Sequence, residues 1–260
     1  MDSEIYLDLD TFFHRLDPRT KIVTFLLTFI AIVLFEDPLW MLPVAFVVVL
    51  QLVVSGSARN LLRIRYVLIV LTISSLILWN LFAKGVTPLF WIFKLEPFLY
   101  SLARTMLMVL MISTGMILLS TTRNEELVLG MIRMGMPYRV GFAISTALRL
   151  VPTIASSTIT ISQAQRSRGL DLDSGNLLER IRKFLPLLVP VFISTIRSTN
   201  IFGMALESKG FGAREQRTFY LHLQMRTADY LVIAFSCLFV AVCIYMRILG
   251  YGMITGLTRF

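Results

Sequence analysis

The chain has 260 residues, of which 56% are hydrophobic and 16% charged, with a formal net charge of +9. Soluble domains carry about 25% charged residues, and a mean hydropathy of +0.75 together with the apolar runs below excludes a purely soluble protein. With hydrophobic spans present, the basic excess reads as lipid headgroups and topology, not as a nucleic-acid surface.

The N-terminus does not read as a signal peptide. Asp2, Glu4, Asp8 and Asp10 are acidic where such a peptide is basic, and no apolar core with a small-residue cleavage site follows. Asp17 reads as an N-cap with Pro18 at the first helical position, and apolar residues then run from Ile22 to Phe35. From Pro18 to Phe35 a helix covers roughly 27 Å, close to the hydrocarbon thickness of a bilayer. Glu36-Asp37-Pro38 ends this first span and caps a second, about Leu39 to Val54, with Pro43 near its start.

Ser55-Gly56-Ser57 closes the second span. Arg59, Arg63 and Arg65 follow at helical spacing, with Leu61, Leu62 and Ile64 between them, the pattern of a short helix at a headgroup surface. A third span runs from Tyr66 to about Phe82, followed by turn signals at Lys84-Gly85 and Thr87-Pro88. Phe90, Trp91 and Phe93 read as interface aromatics. Glu96-Pro97 opens a fourth span reaching about Leu119, and a fifth runs from Tyr230 to about Tyr245.

Between Ser120 and Thr227 the texture changes, with about fourteen Lys and Arg residues mixed into amphipathic stretches. One helix is expected from about Gly141 to Arg168, with Ile144, Leu148, Val151 and Ile154 on one face. A second is expected from about Leu185 to Lys209, with Leu188, Phe192 and Ile196 on one face and Ser194, Arg197 and Ser198 on another. Residues 184–193 are too short to span alone, and Pro186 and Pro190 suit a segment that dips into the bilayer.

The fold class expected is all-α: a polytopic membrane protein of about five transmembrane helices with a helical cytoplasmic region. Residues 1–120 form a four-span membrane domain, 121–227 the cytoplasmic or interfacial region, and 228–260 the last span and tail. Lys and Arg concentrate before span one, after span two and after span four. With five spans these segments share one side, the cytoplasmic one, which puts the N-terminus inside.

Two stretches of the basic region are alike. Ala164-Gln165-Arg166-Ser167-Arg168-Gly169-Leu170 and Ala205-Leu206-Glu207-Ser208-Lys209-Gly210-Phe211 both read Ala-x-x-Ser-basic-Gly-apolar. Glycine there is a helix stop, and a cation just before it suits the negative end of the helix dipole. Each stretch is therefore readable as an ordinary C-cap. As a duplicated pair they make two similar cationic knobs, suited to a partner with two equivalent grooves.

At these positions the sequence resembles the T component, the transmembrane coupling subunit of energy-coupling factor (ECF) transporters, including the cobalt/nickel-type subunits. These are ABC importers of vitamins and transition-metal ions. The resemblance lies in His14-Arg15-Leu16-Asp17-Pro18-Arg19-Thr20-Lys21; in Thr121-Thr122, Glu125-Glu126-Leu127 and Met134-Gly135-Met136-Pro137; in Leu148-Arg149-Leu150-Val151-Pro152; and in the two tips, similar to the family's paired Ala-Arg-Gly signatures.

The resemblance implies crossed cytoplasmic coupling helices whose tips, Ser167-Arg168-Gly169 and Ser208-Lys209-Gly210, each enter a groove of one subunit of an ATPase dimer. Arg166 and Glu207 are supplementary contacts. It implies two ABC ATPase subunits and a membrane-embedded substrate-binding S component as partners, in a prokaryotic cytoplasmic membrane, with no cofactor and no nucleic acid. The chain departs from the signature: Ser stands for Ala in both tips and Lys for Arg in the second, and Lys lacks the planar bidentate fork of Arg. A conventional ABC permease lining the substrate path is the alternative, and such chains usually present one coupling loop where this one has two tips.

Other chemistry is sparse in the sequence. There is no G-x-x-x-x-G-K-[ST] phosphate loop, and the spans carry no mid-depth carboxylate of the kind proton- or ion-coupled carriers use. His14 and His222 read as surface or interfacial residues, and Asp171 and Asp173 as a solvated turn or helix start. Cys237 and Cys243 read as buried apolar residues, Arg104 as a snorkelling cation, and Met106, Met108, Met111 and Met116 as adaptable packing or a sliding contact. Gln51 and Asn80 are the polar exceptions in the spans.

Overall fold

The computed structural model describes residues 6–82, 88–90, 93–170, 176–213 and 224–252; for 80–82, 88–90, 93–97 and 177–182 it describes the backbone alone. The helices are α1 (Pro18–Val33), α2 (Pro38–Ser55), α3 (Ala58–Arg63), α4 (Arg65–Phe82), α5 (Leu95–Thr121), α6 (Asn124–Arg133), α7 (Tyr138–Ser167), α8 (Leu177–Ser208) and α9 (Thr227–Ile248). A short antiparallel ribbon, β1 (Pro88–Phe90) with β2 (Phe93–Lys94), precedes α5. By contact the chain divides into two units, Met1–Pro137 with Leu223–Phe260, and Tyr138–His222.

The caps follow the local rules. The Asp17 carboxylate accepts the Arg19 N–H at 2.9 Å, and that of Asp37 accepts the Leu39 N–H at 2.9 Å, each just ahead of a first-turn proline. In the first unit α1 packs on α2, α5, α6 and α9, while α5 also packs on α2 and α4. The core is built from Ala31, Ile32, Phe35, Met41, Val44, Val48, Ala103, Leu110, Ile117, Val240 and Cys243. Polar side chains inside α5 are satisfied within their own helix: Thr114 donates to Leu110 O at 2.8 Å and Thr121 to Ile117 O at 2.7 Å. Such back-bonding makes a hydroxyl tolerable at membrane depth.

Hydrogen bonds fix how α1 and α9 run. At one end Asp17 N–H donates to Asp229 Oδ1 at 2.8 Å; at the other, Glu36 N–H donates to Gly252 O at 2.9 Å. Both N-termini therefore meet at one end and both C-termini at the other, and the two helices are parallel. The end holding the N-termini also holds the C-terminus of α5, through Lys21 Nζ donating to Thr121 O at 2.8 Å. It holds α3 too, through Asn60 Nδ2 donating to Ser120 Oγ at 2.8 Å. Gly130 of α6 seats here against Pro18: a Cβ at this glycine would lie 3.1 Å from Pro18 Cβ.

This end is rich in cations: Arg15, Arg19, Lys21, Arg59, Arg63, Arg123 and Arg226 all lie on the segments gathered here. Arg15 grips Asp10 with two hydrogen bonds of 2.7 and 2.6 Å, which hold the Asp10 carboxyl below the usual carboxylate range. Both side chains are exposed, and such pairs contribute little to stability.

Several expectations need correction. Among the described residues, five helices are long and apolar enough to cross a bilayer: α2, α5 from Phe98, α7, α8 from Lys183, and α9. The expected first span, α1, has 16 residues, about 24 Å, while α4, the expected third, has 18, as many as α2. Both expected coupling helices, by contrast, meet the length and apolarity of a span. Residues 184–193 are no separate dip: they lie inside α8, which continues through Pro186 and Pro190. Met106 and Met111 pack against the core, while Met108 is exposed. Cys243 is buried, but Cys237 is exposed. Lys84-Gly85, Thr87, Trp91, Asp171, Asp173 and His222 lie outside the described residues, as do the side chains of Asn80, Phe90 and Phe93.

Candidate docking site

The second unit is built on α7 and α8, and two contacts set their register. The Phe142 and Phe211 rings lie 4.4 Å apart, and Gln165 Nε2 donates to Pro186 O at 3.4 Å. The start of α7 is thus beside the end of α8, and the end of α7 beside the first third of α8. The helices are antiparallel, and their C-terminal tips lie at opposite ends of the pair. Arg168 comes abreast of about residue 184, some 25 positions of helix from Lys209, which separates the tips by roughly 38 Å along the axis.

The two tips share one backbone geometry. Gly169 N–H donates to Arg166 O at 3.0 Å and Leu170 N–H to Gln165 O at 3.0 Å. Gly210 N–H donates to Glu207 O at 2.9 Å and Phe211 N–H to Leu206 O at 3.0 Å. These are the two bonds of a Schellman cap. It requires a left-handed residue, here Gly169 at φ 90° and Gly210 at φ 75°. Both serine hydroxyls turn back on their own helices: Ser167 donates to Gln163 O at 3.1 Å and Ser208 to Ala205 O at 2.9 Å. The hydroxyls are thereby occupied, and each tip stays slim.

The cap alone does not distinguish the tips. Helix α6 ends the same way, with Gly135 N–H on Ile132 O and Met136 N–H on Met131 O. So does α9, with Gly250 N–H on Arg247 O and Tyr251 N–H on Met246 O. What differs is the residue before the glycine: Arg168 and Lys209 at the tips, Met134 and Leu249 elsewhere. Arg168 and Lys209 are exposed, and neither forms an ion pair among the described residues. Arg166 and Glu207, two residues earlier, are exposed too, so the first tip carries two cations and the second a cation beside a carboxylate.

Along the same pair, large apolar side chains stay exposed. Leu148, Val151 and Ile159 of α7 and Leu188, Phe192 and Ile196 of α8 are all in this class. The α8 face seen in the sequence is thus left uncovered, while on α7 Leu148 and Val151 are exposed and Ile144 and Ile154 are half-buried.

The remaining sequence candidates have structural roles. His14 is held by Thr11 Oγ1, 2.7 Å from Nδ1, and Leu7 O, 2.8 Å from Nε2. The Arg104 guanidinium lies over the Tyr100 ring at 4.8 Å, and its Nε is buried with no hydrogen-bond partner among the described residues. Gln51 lines a cavity of about 20 Å³ with Lys21 and Thr24, room for one water. Among the described residues, no group of three or more His, Cys, Asp or Glu side chains could hold a metal ion. Sequence reasoning missed Asp229 and Asn60, each of which joins elements distant along the chain; neither sits in a motif that would have marked it.

A family described as "CbiQ: Cobalt transport protein" matches residues 10–220. Among curated relatives, the Energy-coupling factor transporter transmembrane protein EcfT of Listeria innocua is 31% identical over 258 residues, covering 94% of this chain and 95% of its own length. The protein of the same name from Heliobacterium modesticaldum is 31% identical over 268 residues, covering 94% and 97%. That from Lactococcus lactis subsp. cremoris is 30% identical over 241 residues, covering 88% and 91%.

Proposed function

The chain belongs to the family of energy-coupling factor transporter transmembrane proteins, and from that membership we propose that it is the non-catalytic subunit coupling a pair of ABC ATPases to a membrane-embedded substrate-binding component. Ser167-Arg168-Gly169 and Ser208-Lys209-Gly210 are the two ATPase contacts, with Arg166 and Glu207 as flanking contacts. The observation that carries this reading is the antiparallel register of α7 and α8. Two antiparallel helices are related by a local twofold axis, so they present the same capped, cation-bearing C-terminus twice. A dimeric ATPase offers two grooves related in the same way, and closure on ATP would draw on both tips together.

The coupling region works on the cytoplasmic side, where ATP is. The cation-rich end of the first unit supports the same orientation, because cytoplasmic segments carry the Lys/Arg excess. The transported substrate, a vitamin or transition-metal ion, is chosen by the separate substrate-binding component. Site-specific photo-crosslinkers at Ser167 and Ser208 test the assignment in the assembled transporter. Each should capture an ATPase subunit. Capture of neither, or labelling of the two positions from opposite faces of the membrane, removes the proposal.

A further inference from the structure

Helix α3 and its neighbours carry a cluster of charge that the coupling role does not use. Arg59, Arg63 and Arg65 are the only charged residues between Asp37 and Lys84, and all three are exposed. None of them forms an ion pair among the described residues. Arg59 and Arg63 are one helical turn apart and so share a face. Arg65 lies over the Tyr66 ring at 4.9 Å and donates from Nη2 to Tyr66 Oη at 3.1 Å.

The cluster is held in place. Asn60, 3% exposed, anchors α3 to the end of α5 through Ser120. The preceding turn is fixed by Gly56 at φ 70° and by Ser55 Oγ donating to Ser57 Oγ at 2.8 Å. With Asn60 facing inward, Leu62 faces outward and is 65% exposed; Tyr66 is 68% exposed. Immediately before and after lie the exposed apolar residues Val53, Val54 and Val67 of α2 and α4. The arginines thus stand between the C-terminal end of apolar α2 and the N-terminal end of apolar α4.

We infer that Arg59, Arg63 and Arg65, with Leu62 and Tyr66 beneath them, form a binding site for the headgroup of an anionic phospholipid such as phosphatidylglycerol. A phosphodiester fits both oxygens to a guanidinium fork. Its acyl chains continue down the apolar surface that Leu62 and Tyr66 begin. A free phosphate satisfies only the first half of this surface, and an acidic protein segment would have to displace lipid from the apolar half. The site does not depend on the tips or on their partner.

The test uses the purified full chain in detergent, titrated with dioctanoyl phosphatidylglycerol, dioctanoyl phosphatidylcholine and inorganic phosphate. The glycerol lipid should bind at least tenfold more tightly than the choline lipid, and millimolar phosphate should not displace it. Arg59→Gln with Arg63→Gln should abolish the preference and leave choline-lipid binding unchanged. Arg59→Lys with Arg63→Lys should retain part of it, because the charge remains and the fork is lost. A control pair at other exposed cations, Arg139→Gln with Arg197→Gln, should leave the preference intact. No preference in the wild-type chain overturns the inference, as does equal loss in the control pair, which would mean diffuse charge. Full competition by phosphate overturns the lipid source. Loss of ATPase co-purification in Arg59→Gln with Arg63→Gln at unchanged lipid preference assigns the patch to a protein partner instead.

Discussion

Asp229 Oδ1 accepts the backbone N–H of Asp17 at 2.8 Å, across 212 positions of sequence. The other oxygen of the same carboxylate accepts the Arg226 N–H at 2.8 Å. One buried acid, 1% exposed, therefore caps its own helix and holds the entry to α1. Helix α9 is tied in this way to α1.

Asp229→Ala should destabilise the membrane unit by about 3 kcal/mol, since it strands one buried and one half-buried N–H donor and removes a cap. Asp229→Asn keeps acceptors for these donors and should cost clearly less. Thermal unfolding in detergent, with hydrogen exchange at residues 17–19 and 226–230, reads both effects. Equal behaviour of the two variants would show that the carboxylate's hydrogen bonds are not what holds the helices.

Lys21 is the cation of the same region. Its Nζ donates to Thr121 O at 2.8 Å and His14 O at 3.2 Å, and it is 5% exposed. Glu126, Asp17 and Asp229 supply negative charge around it. Lys21→Met preserves most of the volume but leaves those carboxylates without their buried counter-charge, a loss of about 3 kcal/mol. The same measurement should place it near Asp229→Ala. The double variant should lose less than the sum, because the two residues serve one network. Strict additivity would mean that they act independently.

Gly130 tests the seat of α6 on α1. A Cβ there meets Pro18 Cβ at 3.1 Å and Ile22 Cδ1 at 3.3 Å. Gly130→Ala gains up to about 1 kcal/mol of helix propensity and loses a similar amount to crowding, so it should be close to neutral. Gly130→Leu cannot be accommodated by a shift of a few tenths of an ångström and should lower the unfolding temperature by several degrees. A neutral Leu variant would place α6 away from Pro18.

The features legible in the sequence were those whose cause is local. Asp17-Pro18, Asp37-Pro38, Gly169 and Gly210 announce helix ends because caps act within a few residues. The parts that were hidden depend on distance or context. Nothing near Asp17 or Asp229 in sequence points to the other. The two prolines of α8 suited a separate dip into the bilayer, yet residues 184–193 lie inside one continuous helix. The Schellman geometry also recurs at Gly135 and Gly250, so the glycine is a weaker signal than it looked, and the cation before it is the informative residue. Length and hydropathy do not by themselves separate spans from coupling helices: α1 is apolar but has only 16 residues, while α7 and α8 combine polar ends with long apolar middles.

Gly169→Ala and Gly210→Ala separate the backbone of a tip from its charge. Among the described residues, and chain neighbours aside, no atom lies within 4 Å of a Cβ at Gly169, and at Gly210 only Ala213 Cβ does, at 3.9 Å. The cost is therefore the left-handed conformation itself, about 1 kcal/mol at each site. It should fall on the local cap, with global unfolding unchanged, and ATPase co-purification should weaken severalfold as the tip frays. Unaltered co-purification in the double variant would show that the partner does not read the cap.

Reversing charge at the tips is the more severe test of the coupling assignment. Arg168 and Lys209 are exposed and lie outside every ion pair among the described residues, so Arg168→Glu and Lys209→Glu should leave membrane insertion and unfolding temperature unchanged. Glutamate at a helix C-terminus also opposes the dipole, but only by a few tenths of a kcal/mol at an exposed site. Any large effect must then come from the partner. Arg168→Glu should reduce ATPase co-purification more than Lys209→Glu, because a guanidinium makes a bidentate pair where an ammonium makes a point contact. The double variant should abolish both co-purification and ATP-driven uptake. Retention of uptake by the double variant would show that neither cation carries the coupling, and the family's role would have to be exercised through another surface of α7 and α8.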